Sequence, residues 1–368
     1  MKEAPEDLIY QIALLEMMHV GPRVARKIIK CFGSAEAVIK ASDSELKEIG
    51  DIGLKLIHQR GNEEYFSFAK AQLEFCNNKG ASVLSYFSKA YPSRLKQCID
   101  APQVLYQMGH CNLNSKRMVA IVGTRNCTKY GRDVCAELVE QLEKYDVTIV
   151  SGLAYGIDAC AHRNAIKNNM YNIGVVAHGL DRIYPSDHKD LANSIVQKGA
   201  ILTEFPIKTN PDRENFPQRN RIVAGMVDAI VVIESAAKGG SLITARLGND
   251  YNRDVFAVPG TLMSEHSKGC NYLIKSNQAQ LFESVADIAL SLGWKKPDKE
   301  LVSVQQELIF DLNDNERKIA VFLGKETKTM DEISVEMKIQ ISELSTMLLM
   351  MELNGVIKQL PGKKYQIA

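Results

Sequence analysis

The sequence predicts an α/β protein built on a parallel sheet, with a helical segment before it and three helices plus a β-hairpin after it. Three observations carry this. Short β-branched runs recur through the middle of the chain, each run ends in a small residue or a loop, and helical stretches separate the runs. Continuous apolar strands alternating with helices are the pattern of a parallel sheet covered on both faces. The divisions expected are a helical segment over 1–75, a sheet domain over 76–293, a linker over 294–309 and a terminal unit over 310–368.

From Leu8 to about Asn62 the pattern is helical with short interruptions. His19 to Ile29 reads as a helix end, a tight Gly21-Pro22 turn and a second helix whose Val24, Ile28 and Ile29 face inward. This resembles the helix–hairpin–helix (SAM-like) motif, in which turn amides touch a DNA phosphate. A weaker second copy runs from Ile49 to Ile57, where Asp51 departs from the pattern. Such hairpins serve equally as packing units, and the sequence leaves both roles open.

An amphipathic helix follows over 63–80, then a strand over 81–86. Tyr91 to Gly109 is turn-rich and then extended, which suits an additional edge on the sheet. The strands proper are Met118–Val122, Val147–Val150, Ile173–Ala177, Ala200–Thr203, Ala229–Ile233 and Val255–Val258, a set of six. Ligands of such Rossmann-like sheets sit outside the carboxyl ends of the strands, so the loops that follow these runs are expected to converge on one crevice.

Those loops carry groups suited to a polyanion. Gly123-Thr124-Arg125, Ser151-Gly152, Gly179 with Arg182, Arg219-Asn220-Arg221, and Lys238 with Gly240-Ser241 bring hydroxyls, backbone amides and several guanidinium groups. The first of them opens a helix, whose N-terminus is expected to offer unpaired N–H groups to an anion. Arg125 adds a planar fork that grips a phosphate with two hydrogen bonds. Taken singly, each glycine is a strand terminator or a helix cap, and only their recurrence at one sheet end favours a ligand.

After the sheet, Lys295-Lys296-Pro297-Asp298-Lys299 breaks helix and reads as a linker. Helical stretches near 314–323, 330–337 and 341–354, closed by a strand–turn–strand over 356–367, form the winged-helix plan. The third of these helices holds no Arg or Lys, so it is poorly equipped to read DNA. A protein-interaction or autoregulatory wing fits better.

Composition sets the bounds. The 368 residues exceed one ordinary core, and 45 Lys+Arg against 44 Asp+Glu leave a net charge of only +1, so nucleic-acid binding has to rest on a local patch. Eight cysteines are scattered without a C-x-x-C pair, and no signal peptide or long apolar run is present. A reduced cytoplasmic protein without metal, cofactor or membrane anchor is expected, and Cys127 reads as a packing or surface thiol.

The central motifs resemble one family. Val119 to Arg125, Val150 to Asp158 with Ala161-His162, Gly179 to Pro185, Phe216 to Gly225, Gly240 to Ala245 and Val255 to Gly260 are similar to the bacterial DNA-processing protein A (DprA, also called Smf) family, over roughly 90–280. The resemblance implies a non-catalytic, homodimeric binder of single-stranded DNA that protects incoming DNA in natural transformation and loads the RecA recombinase. It also implies that Gly123, Thr124 and Arg125 form the phosphate loop, and that Ser151, Gly152, Gly179, Arg219, Asn220, Arg221, Gly240 and Ser241 fall on the other pocket loops. Three departures stand out: His178 where a small residue is common, the added cation Lys238, and Asn277-Gln278 in place of a Gly-Ala pair.

Rival readings are weaker. A phosphoribohydrolase of the lysine-decarboxylase-like type needs a Pro-Gly-Gly-x-Gly-Thr-x-x-Glu loop, and Lys238 to Thr244 lacks its catalytic Glu. A nicotinamide enzyme needs G-x-G-x-x-G after the first strand, which is absent, although Glu234 at a strand end suits a ribose hydroxyl. Asp158 and His162, four apart on one helix, are expected to fix its packing. Backbone recognition with little sequence preference is expected, with Tyr130, Tyr155, Tyr184 and Phe216 either stacking on bases or filling the core.

Overall fold

In a computed structural model of the chain, the structure describes residues 7–18, 21–295, 314–323, 327–353, 356–360 and 362–367. His19 and Val20 of the first hairpin, residues 296–309 of the linker, and Asn354 and Pro361 lie outside the described residues. Contacts divide the chain into two units, Met1–Lys295 and Lys296–Ala368.

The first unit begins with helices α1 (Asp7–Met18), α2 (Pro22–Phe32), α3 (Ala35–Lys40), α4 (Asp43–Lys47), α5 (Asp51–Gln59) and α6 (Glu63–Lys79). Their apolar faces, with Leu14, Ile28, Ile29, Leu46 and Leu56 buried, close against Val104 and Tyr106 of the following extended segment. Arg26 turns inward from α2 and donates to the carbonyls of Ile99 and Ala101, so this helix is tied to the sheet unit by a buried cation. Strand β1 (Ser82–Ser85), the short α7 (Ser93–Lys96) and β2 (Val104–Met108) come next.

The sheet core then alternates strand and helix, as the apolar periodicity predicts. Its elements are β3 (Met118–Val122), α8 (Lys129–Glu143), β4 (Thr148–Ser151), α9 (Ile157–Lys167), β5 (Asn172–Val175), α10 (Lys189–Lys198) and β6 (Ala200–Thr203). They continue with α11 (Asn215–Gly225), β7 (Ala229–Val232), α12 (Ser241–Asp250), β8 (Asp254–Ala257), α13 (Lys268–Lys275), β9 (Gln280–Leu281) and α14 (Val285–Ser291). Nine strands pair in the order β1-β2-β6-β5-β4-β3-β7-β8-β9. The six expected runs are all strands. The sequence missed β9, whose two residues are too few for a periodic signal, and β1 and β2 extend the edge antiparallel.

From β3 the chain winds outward through β4, β5 and β6, then returns to the other side of β3 to build β7, β8 and β9. The switch of direction falls between β3 and β7, the place where open α/β sheets leave a crevice at the carboxyl ends. Both faces are sealed: β3 alternates Val119 and Ile121 into one apolar cluster and Met118, Ala120 and Val122 into the other.

The second unit packs α15 (Asp314–Leu323), α16 (Met330–Met337) and α17 (Ile341–Leu353) around Ile319, Ile333, Leu344, Leu348 and Met351. A three-stranded sheet of β10 (Lys328–Thr329), β11 (Ile357–Leu360) and β12 (Lys364–Ile367) completes it, which is the winged-helix plan.

Candidate nucleic-acid interface

The switch point is built by cross-bracing of three loops. The Thr124 amide donates to the Glu234 carbonyl at 2.8 Å, joining the loop after β3 to the end of β7. The Thr124 carbonyl in turn accepts from the Ile157 amide at 3.2 Å, so this loop caps α9. Gly156, at φ +79°, makes that approach possible, because a β-carbon there would strike the carbonyls of Thr124 and Arg125.

The N-terminus of α8 is not open to an anion, contrary to the sequence expectation. Glu234 is buried and accepts from the Thr128 amide at 2.9 Å and from its hydroxyl at 2.6 Å. Thr128 caps the helix by accepting from the Gly131 amide at 3.2 Å. The protein's own carboxylate therefore occupies the positive end of this helix. Glu234 is thereby committed to the cap and is not free to hold a ribose hydroxyl.

One pocket gathers Arg125, Gly152, Ala154, Tyr155, His178, Tyr184, Phe216 and Arg219, contributed by the loops after β3, β4 and β5 and by α11. Arg125 is exposed, and its guanidinium carbon lies 5.2 Å from the centre of the Phe216 ring. Tyr184 meets Phe216 edge-on at 6.2 Å, and Tyr155 packs on His188 at 4.9 Å while its hydroxyl donates to Asp187 at 3.0 Å. A cation beside half-exposed aromatic faces is equipped to hold a phosphate and an adjacent base together. Tyr130 stands apart from this pocket, with its hydroxyl on the Pro259 carbonyl at 2.9 Å.

The other arginines are engaged within the protein. Arg219 is buried and donates to the Val175 carbonyl at 3.0 Å. It faces Asp158, whose carboxyl is pushed up by burial and drawn back down by that guanidinium. Arg221 leaves the opposite side of α11 to meet Glu204 and the Asp100 carbonyl, away from the crevice. Arg182 holds Asp181 at 2.8 Å and Asn210, bracing two loops at the rim.

The remaining expected residues divide in the same way. The Ser151 hydroxyl donates to the Ile121 carbonyl at 2.6 Å, and Ser241 donates to Ser235 at 2.9 Å, both buried. Gly123 and Gly179 are tight approaches, to Ile157 and to the Pro206 carbonyl. Asn220 is half-buried on α11 between the two engaged arginines. Lys238 and Gly240 are exposed after β7, and a β-carbon at Gly240 would meet nothing within 4 Å.

His162 is buried, with Nδ1 paired to the Asn172 side chain at 3.1 Å, and burial pulls its pKa down to about 4. His178 is likewise lowered by burial; its Nε2 accepts from the Tyr184 amide at 3.1 Å and so shapes the pocket floor. Sequence reasoning did not single out Arg213, an exposed cation that has no ion-pair partner among the described residues, in the turn three residues before Phe216. Its only signal was position beside an aromatic in a loop with Asp212 and Glu214, which mask it in any charge count. Among the described residues no three His, Cys, Asp or Glu side chains could hold a metal, and no helix is long and apolar enough to cross a membrane.

Comparison with known proteins agrees with this architecture. Residues 82–293 match the family model of DNA recombination-mediator protein A, and 305–363 match that of the DprA winged helix domain. Protein Smf of Synechocystis is 32% identical, covering 99% of both chains. DNA processing protein DprA of Bacillus subtilis is 38% identical over 61% of this chain and 76% of its own. Among solved structures, DprA of Streptococcus pneumoniae superposes with a TM-score of 0.64 at 31% identity, over 80% of this chain and 99% of that one. DprA of Helicobacter pylori, solved to describe its single-stranded DNA binding mode, gives 0.53 at 31% identity over 58% and 97%.

Proposed function

The chain belongs to the DNA recombination-mediator protein A family, also named DprA or Smf, and from that premise we propose that its crevice binds single-stranded DNA. The observation that carries the reading is Arg125, exposed at the sheet's switch point with its guanidinium over the Phe216 ring. Phosphates lie against Arg125, with Arg213 and Lys238 extending the cationic track. Tyr155, Tyr184 and Phe216 receive bases. Gly123, Thr124, Gly152, Gly179, Ser151, Arg182, Arg219, Asn220, Arg221, Gly240 and Ser241 build and brace the loops.

A backbone held by charge and bases held by stacking give little sequence preference, and a stiff duplex cannot splay its bases onto the ring faces. On this reading the protein is a cytoplasmic homodimer and not a catalyst. It shields incoming strands and passes them to RecA during transformation, with the winged helix as a separate module joined through 294–309; the boundary expected at residue 76 falls inside α6, and the N-terminal helices share a core with β2 within the first unit.

Fluorescent oligo-dT titrated across a salt series tests the proposal, with duplex DNA and nucleoside monophosphates as competitors. Tight binding with a salt slope that Arg125→Ala reduces is the expected result. Competition by a mononucleotide alone, or its hydrolysis, overturns the reading in favour of a nucleotide-processing enzyme. RecA filament formation on strands coated with single-strand-binding protein, with and without this chain, tests the loading role.

A further inference from the structure

Helices α8 and α9 pack side by side on one face of the sheet, and their contact holds thiols that the DNA-binding reading does not use. Cys135, on α8, is fully buried. On α9 the half-buried Cys160 packs against the same apolar cluster as Cys135, with its sulfur beside the Arg132 carbonyl one helical turn before Cys135 on α8. The Cys160 sulfur also accepts from the Asn164 amide at 3.4 Å and lies 3.8 Å from the Arg132 carbonyl. A third thiol, Cys127, is half-buried, with its sulfur 3.9 Å from the Arg132 guanidinium.

We propose that Cys160 and Cys135 form a reversible oxidation site, in which Cys160 reacts with a hydroperoxide and Cys135 resolves it to a disulfide joining α8 to α9. The Cys160 thiolate attacks the peroxide O–O bond, becoming a sulfenic acid and releasing hydroxide or alkoxide. Cys135 then attacks that sulfur, its thiol proton leaves with the displaced hydroxyl as water, and the S–S bond forms. Two thiols supply the two electrons that reduce the peroxide, and a dithiol reductant reverses the step.

The surroundings fit these separate roles. The neighbouring Cys135 and the donor Asn164, together with the cations Arg163 and Arg132, hold the Cys160 thiol down to about 7, whereas Cys135 is held well above the usual thiol range. An accessible thiolate beside a sequestered thiol is the arrangement of attacking and resolving cysteines. The bridge would lie one turn into α9, behind the Gly156 turn that supports the Arg125 loop.

The full chain, reduced and then treated with hydrogen peroxide, is alkylated and digested with trypsin without reduction. The expected product is a linked pair of neighbouring peptides, Asp133–Lys144 and Tyr145–Arg163, which dithiothreitol separates. At neutral pH, Cys160 should alkylate roughly tenfold faster than the thiol of an unstructured cysteine peptide. Cys135→Ser should leave Cys160 as a sulfenic acid trapped by dimedone, and Cys31→Ser should leave the linked pair intact. Absence of the link in wild type, or oxidation confined to the exposed Cys31, overturns the proposal. So does a Cys160 that alkylates no faster than the peptide.

Discussion

A β-carbon built on Gly152 would overlap the Nη1 of Arg219 and stand 2.5 Å from the Asp158 carboxylate. The glycine is therefore fixed by an arginine that lies beneath it and not by a ligand above it. Arg219 is anchored from the other side by the Val175 carbonyl, so it cannot step aside without leaving Asp158 facing an empty, buried site.

Gly152→Ala should displace Arg219 and destabilise the first unit by about 2 kcal/mol, the usual scale for overpacking a filled interior. The single tryptophan, Trp294, packs on Tyr145 and reports this unit's urea unfolding by fluorescence. An unchanged midpoint would show that the arginine relaxes freely.

Arg125→Ala and Arg219→Ala should separate binding from stability. Loss of the exposed Arg125 should change stability by less than about 0.5 kcal/mol, while weakening oligo-dT roughly tenfold and reducing the salt slope by about one ion. Arg219→Ala strands a buried carboxylate, which costs on the order of 3 kcal/mol. Equal effects of the two variants on unfolding would contradict the burial difference.

His162 should make the first unit acid-sensitive. Its folded pKa of about 4 lies below the ordinary imidazole value of 6.5, so the unfolded chain binds the extra proton between those limits. Stability is then fully present above pH 6.5 and falls toward pH 4, by about 2 kcal/mol at pH 5. His162→Gln should flatten that dependence. The same slope in both proteins would assign the acid sensitivity to other groups.

Thr128→Ala removes the N-cap of α8 and the hydroxyl that the buried Glu234 accepts from. A loss of about 1 kcal/mol is expected from the cap alone, with faster amide exchange at Thr124 as the bridge between β3 and β7 loosens. Retained protection there would show that the Glu234 carbonyl holds the loop without its side chain.

The alternation of apolar strands and helices determined the parallel sheet, because a strand buried on both faces must be continuously apolar and that is visible residue by residue. It determined the crevice too, since the loop after each strand falls at the same sheet end whatever the details. The order of the three helices and hairpin was likewise readable in the winged-helix region. Which arginine faces the crevice was decided by tertiary structure alone. Arg125, Arg219 and Arg221 look alike along the chain, yet one is exposed beside Phe216, one lies beneath Gly152, and one turns to Glu204. Glu234 shows the same limit: only the pairing of β3 with β7 brings its carboxylate, 106 residues away in sequence, to the start of α8. Periodicity is a local property and survives in one dimension, whereas the partner of a charge is set by which distant segments the fold lays side by side.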